Sequence, residues 1–178
     1  AELTVTANDK QKVYGDADPA LDYSVSGAKL GQTGEQLLNG GALVRQPGEN
    51  VGNYGIEQGE LALNNGLGGN YTLTFVDGQL QITQATLDVT AQDKSKVYGE
   101  IDPALTYVVS GLKNGDTREQ VLSDGTVKRE AGENVGTYGI TNDSLALLSN
   151  NYILQFHDGV FSITPADLTV TAKDKSKV

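Results

Sequence analysis

The 178 residues carry 13 Lys and Arg against 23 Asp and Glu, a net charge of −10, with 22 Gly, one His and no Cys, Met or Trp. Composition excludes disulfide frameworks, thiolate metal sites and cysteine nucleophiles. The acidity opposes any footprint on phosphate backbone or anionic lipid, so neither nucleic acid nor a membrane surface is an expected partner.

In chain order, Leu3, Val5 and Ala7 alternate with Thr4 and Thr6, the period-two pattern of a strand with one buried face. Val13-Tyr14-Gly15, then Asp16, Asp18 and Pro19, mark a turn before a second alternating run at Leu21, Tyr23 and Val25. Gln32 to Leu38 reads as one or two helical turns at most, because Gly34 falls in the first turn. In GENVGNYGI, from Gly48 to Ile56, Tyr54 enters a strand just after a glycine turn, as in the tyrosine corner of sandwich domains. Two further alternating runs, Tyr71/Leu73/Phe75 and Leu80/Ile82, flank Asp77-Gly78, which predicts a hairpin in an antiparallel sheet wet on one side.

The pattern then starts again. LTVTANDKQKVYGDADPALDYSVSG from Leu3 recurs from Leu87 as LDVTAQDKSKVYGEIDPALTYVVSG, identical at 18 of 25 positions, at an offset of 84 residues. The offset falls to 81 where Asn64 to Asn70 shortens to Leu148 to Asn151, which marks a surface loop. Asp116 to Leu122 repeats the helical turn, with Asp116 or Thr117 as its cap, and Asp158-Gly159 repeats the expected hairpin. A third copy opens at Leu168 as LTVTAKDKSKV.

The expected organisation is therefore one repeat over 3–86, a second over 87–167 and the first strand of a third over 168–178, the whole read as part of a longer, tandem protein. The expected fold is mainly β: tandem small domains, each an immunoglobulin-like β-sandwich with a short helical turn, with a β-grasp-like α+β arrangement as the alternative. The link Gln84-Ala85-Thr86 has no Gly and is too short for a flexible coil, so neighbouring repeats of the chain are expected to touch. Each would add on the order of 30 Å to a stiff rod. The unpaired strand at 168–178 is expected to seek a neighbouring sheet edge.

The blocks LTVTA-x-DK-x-KVYG-x-x-DPAL, GENVG-x-YGI and NY-x-L-x-F-x-DG-x-x-x-IT resemble the MBG-type (YGX type) repeats of large bacterial surface adhesins. The resemblance covers nearly the whole chain. It implies an exported protein of the bacterial cell surface, extracellular and without enzyme activity. Tandem repeats would form a stalk that projects an adhesive tip, and host or matrix glycans would be bound outside these residues. A glycan- or host-protein-binding module, with contacts made by the repeats themselves, is the alternative. A biofilm-matrix role differs only in what the tip holds.

Read for chemistry, the residues are mostly structural. The single His157 aligns with Val76, so an imidazole-based site would exist in one repeat only, and a solvent-facing strand residue is preferred. No pairing suited to general acid–base work or to a Ser-His-Asp arrangement stands out. Asp16, Asp18, Glu100 and Asp102 are calcium candidates, but no EF-hand run is present and an Asp-Pro turn at Pro19 and Pro103 is the preferred reading. No cofactor is expected. Tyr14 and Tyr98 are read as closing the core beside Gly15 and Gly99, in preference to an exposed sugar platform, and Tyr54 and Tyr138 as corner tyrosines.

Overall fold

A computed structural model describes residues 1–177. The first repeat comprises β1 (Glu2–Ala7), β2 (Lys10–Val13), β3 (Tyr23–Ser26), the one-turn helix α1 (Gly34–Leu37), β4 (Val44–Arg45), β5 (Gly52–Glu57), a 3-10 turn over Leu67–Asn70, β6 (Thr72–Val76) and β7 (Gly78–Thr83). The second has β8 (Ala85–Ala91), β9 (Lys94–Val97), β10 (Tyr107–Ser110), α2 (Arg118–Val121), β11 (Val127–Arg129), β12 (Gly136–Asn142), β13 (Tyr152–His157) and β14 (Gly159–Thr164). Two units emerge by packing. Unit 1 is Ala1–Thr86 with Leu112–Asp116 and Ser149–Ile153; unit 2 is Leu87–Gly111, Thr117–Leu148 and Leu154–Val178.

In each repeat the strands form a three-stranded and a four-stranded sheet, β3-β1-β6 with β2-β7-β5-β4, and β10-β8-β13 with β11-β12-β14-β9. The fold is a mainly β sandwich of curled sheets, as the alternation predicts. Leu3, Val5 and Ala7 are no more than 3% exposed, and Leu80 and Ile82 of β7 no more than 1%. Leu37, Leu38 and Leu61 close over Leu3 and Val5. Helix α1 is a single turn whose buried residue is Leu37 at its C-terminal end. Thr33 starts it, its backbone N–H donating to the Gln36 side chain at 2.9 Å, and Thr117 and Gln120 repeat the pair at 2.8 Å.

Two expectations are corrected. Asp77-Gly78 and Asp158-Gly159 are not hairpin turns, since β6 and β7 lie in different sheets, as do β13 and β14. Nor are the sheets wholly antiparallel: β1 runs parallel to β6 and β2 parallel to β7. Thr6 faces Val76 and Lys10 faces Leu80, so one register continues through the bend. The segments β1-β2 and β6-β7 are two ribbons that turn the same corner together.

Local chemistry favours that corner. The Asp9 carboxylate accepts the backbone N–H of Gln79 at 2.8 Å, and Asp93 accepts that of Val160 at 2.7 Å. Gly78 is buried there, where a Cβ would meet the Ala7 carbonyl oxygen at 2.7 Å.

Residues 168–177 are exposed and lie in no strand, and Val178, the last residue of the expected third-repeat strand, lies outside the described residues.

Candidate functional site

The densest chemistry in each repeat is a ring of two cations and two carboxylates. Lys12 sits on the inward phase of β2, its side chain only 4% exposed, and its Nζ meets Asp18 Oδ1 at 2.7 Å and Glu49 Oε2 at 2.6 Å. Arg45 of β4 closes the ring from the other side. Its Nε donates to Asp18 Oδ2 at 2.6 Å and its Nη2 to Glu49 Oε1, while Nη1 donates to the carbonyl oxygens of Gln46 and Gly48.

The second repeat builds the same ring. Lys96 meets Asp102 at 2.7 Å and Glu133 at 2.5 Å, and Arg129 meets Asp102 at 2.5 Å and Glu133 at 2.6 Å. The pairing has electrostatic consequences. The Arg129 hydrogen bond, then that of Lys96, holds Asp102 down to about 2. Arg45 and then Lys12 lower Asp18, and Lys12 and then Arg45 lower Glu49. Burial works to lower the Lys12 ammonium, but the bonds and charges of Asp18 and Glu49 outweigh it and raise its pKa.

The ring accounts for the repeated blocks. GEN supplies Gly48, Glu49 and Asn50. A Cβ on Gly48 would lie 2.1 Å from the Tyr54 ring, Glu49 joins the ring of charges, and the Asn50 carbonyl oxygen accepts the Tyr54 hydroxyl at 2.7 Å. Arg45 lies over the Tyr54 ring at 5.7 Å. Tyr138 repeats the arrangement, donating to Asn134 at 2.8 Å with Arg129 at 5.6 Å.

The calcium candidates are thus not brought together. Asp18 and Asp102 are each engaged by a lysine and an arginine, Asp16 by Lys113 at 3.1 Å, and Glu100 accepts the Val97 N–H at 3.0 Å. A divalent ion at Asp18 or Asp102 would have to displace two cations. Among the described residues no group of three or more acidic or His side chains is arranged to hold a metal. Pro19 and Pro103 follow these aspartates and are half-buried.

The two VYG tyrosines part company. Tyr14 is 3% exposed, as a core residue should be, but Tyr98 is 52% exposed, which corrects the common reading. Within unit 1, Tyr14 packs edge-on against Tyr152 at 5.4 Å, and both hydroxyls donate to Asp116 Oδ2, at 2.9 and 2.8 Å. Burial, followed by the hydrogen bond to Asp116, pushes the Tyr152 phenol up to about 12. Lys12, Arg45 and Glu49, with their counterparts Lys96, Arg129 and Glu133, belong to no motif that marks them as a site in the sequence. The available signal was a lysine recurring on the inward phase of a strand.

His157 lies on β13, nearly half exposed, with Nε2 2.8 Å from Asp88. An open polar cleft recurs in both repeats, lined by Asp9, Lys10, Gln11 and Gln79 in one and Asp93, Lys94, Ser95 and Pro103 in the other. No helix among the described residues is long and apolar enough to cross a membrane.

A family model described as the MBG domain (YGX type) matches residues 3–81 and again 87–162. No curated protein matches the chain.

Proposed function

The chain belongs to the MBG domain (YGX type) family, and from that premise we propose that this surface-protein repeat module acts as a load-bearing spacer, exported to the bacterial cell surface and without catalysis. The observation that carries the reading is the parallel pairing of terminal ribbons, β1 with β6 and β2 with β7 in the first repeat and β9 with β14 in the second. Tension applied to the two ends of such a repeat loads many backbone hydrogen bonds in shear, and they must fail together. A hairpin pulled from its open end would lose them one at a time. The ring of charges supports the same reading, because it uses the most reactive side chains to tie β2, β4 and the loop after β4 to one another.

Single-molecule stretching of the chain tests the proposal. Two force peaks, each releasing the length of one repeat, are expected; extension without a resolved peak would overturn it. A glycan-binding role is the second reading, favoured by the polar cleft that recurs in both repeats. Tyr14 is withdrawn from that reading by its burial. Glycan-array binding that is lost on Gln79→Ala and Asp93→Ala would support it.

A further inference from the structure

The polar clefts of the two repeats share a plan and differ at one ion pair. Each is lined by residues of its own repeat alone, so it is a property of the repeat. Their volumes, about 390 Å³ in the first repeat and 460 Å³ in the second, lie in the range that takes a small ligand. Gln11, Gln81 and Asn53 are register partners across β2, β7 and β5, and Ser95, Ser162 and Thr137 are partners across β9, β14 and β12. A row of three amides in one repeat is thus a row of three hydroxyls in the other, and neither row is charged. Uncharged donors and acceptors of this kind match the hydroxyl groups of a sugar.

The charged residues of the clefts differ in what they hold. Asp9 and Asp93 are alike, since each accepts a backbone N–H of β7 or β14. Lys10 and Lys94 are not. The Lys10 ammonium meets the Asp22 carboxylate at 2.7 Å, and the Asn8 amide donates to the same carboxylate at 2.8 Å. In the second repeat Thr106 stands where Asp22 stands and Gln92 where Asn8 stands, and the Thr106 hydroxyl donates to the Gln92 side chain at 2.6 Å. Lys94 is half-buried and enters no ion pair among the described residues.

The geometry points to a division between the clefts: the second takes a sugar that carries a carboxylate, held at Lys94 as Asp22 is held at Lys10, and the first takes a neutral sugar. Asp22 is in effect a built-in copy of the ligand's acid group, and it already occupies the cation that such a ligand would need. With a net charge of −10 the chain repels acids elsewhere, so the preference is set at this one ammonium. The inference rests on the glycan-binding reading and adds to it the class of sugar and the residue that selects it.

The test follows amide and lysine side-chain resonances of the full chain during separate titrations with glucuronate, glucose and acetate. Glucuronate should shift Lys94, Ser95 and Ser162 and bind there about threefold more tightly than glucose, the effect of one solvent-exposed ion pair, and added salt should shrink the difference. At Gln11 and Gln81 glucose should bind at least as well as glucuronate. Thr106→Asp, which gives the second repeat the carboxylate of the first, should remove the preference, and Asp22→Thr should create it at the first cleft. Shifts at neither cleft with either sugar would overturn the glycan reading and this inference with it. Equal binding of both sugars at both clefts, or a preference that survives Thr106→Asp, would overturn this inference and leave the glycan reading standing. Acetate shifts at Lys94 equal to those of glucuronate would mean capture of a bare anion and would overturn it as well.

Discussion

Lys12 occupies a position on β2 that strand periodicity assigns to the interior, and its ammonium is tolerated there because two carboxylates reach it. The two sides of the ring are not equally dependent. Asp18 and Glu49 are about half exposed and can turn to water; the Lys12 side chain at 4% exposure cannot. Asp18→Ala should therefore destabilise its unit by about 1–2 kcal/mol, and more than Lys12→Met, in urea titrations. Acid should act on the same groups. Asp18, Glu49, Asp102 and Glu133 are all held below the usual carboxylate range, so their stabilisation is complete above about pH 4.5 and is lost as pH falls through the folded values, near 2 for Asp102. Urea midpoints should fall steadily across that interval, and a flat profile would contradict the ring. Tyr152 acts at the other extreme. Its phenol, raised to about 12, stabilises below about pH 10 and loses that contribution as pH rises through 12. Absorbance titration should show a tyrosinate step delayed to that point and absent in Tyr152→Phe. Sequence made the corner tyrosines legible because hydroxyl and acceptor lie four residues apart. It hid the ring because Lys12 and Glu49 are 37 residues apart and charged residues are ordinarily assigned to the surface.

At the scale of elements, the alternating runs located the strands but not their partners. Asp77-Gly78 carries the composition of a two-residue hairpin, and the local signal is the same whether the following strand folds back or turns into a second sheet. What decides is remote: Asp9, at the matching bend of the first ribbon, binds the Gln79 N–H. Gly78→Ala should separate the two outcomes. In a hairpin turn an added methyl would face solvent, whereas here it meets the Ala7 carbonyl and should cost about 1–3 kcal/mol by urea denaturation. The helical turns were legible from a cap at Asp116 or Thr117, of which Thr117 is the one used, and their Leu-Leu or Val-Leu ends join the buried set.

Across the whole molecule, the repeats carry −5 (3–86) and −6 (87–167), with Glu2 adding −1 and 168–178 adding +2 to reach −10, so the acidity belongs to the repeating design. Solubility should fall sharply near the isoelectric point of about 4.4, visible as turbidity, and recover on either side. The tandem organisation was the most legible feature of all, because it rests on copied residues and needs no physical inference about pairing. Its cost lies in the order of folding. The ladder from Glu2–Thr72 to Val13–Thr83 joins residues 70 apart, so a repeat emerging from its N-terminus cannot complete either sheet until its last ribbon arrives. During that interval the waiting edge meets chemically similar ribbons, for LTVTA at Leu3 is nearly restated at Leu87 and fully restated at Leu168. The right partner is selected chiefly by its proximity along the chain, and the rate at which successive ribbons are released becomes part of the information that specifies the fold.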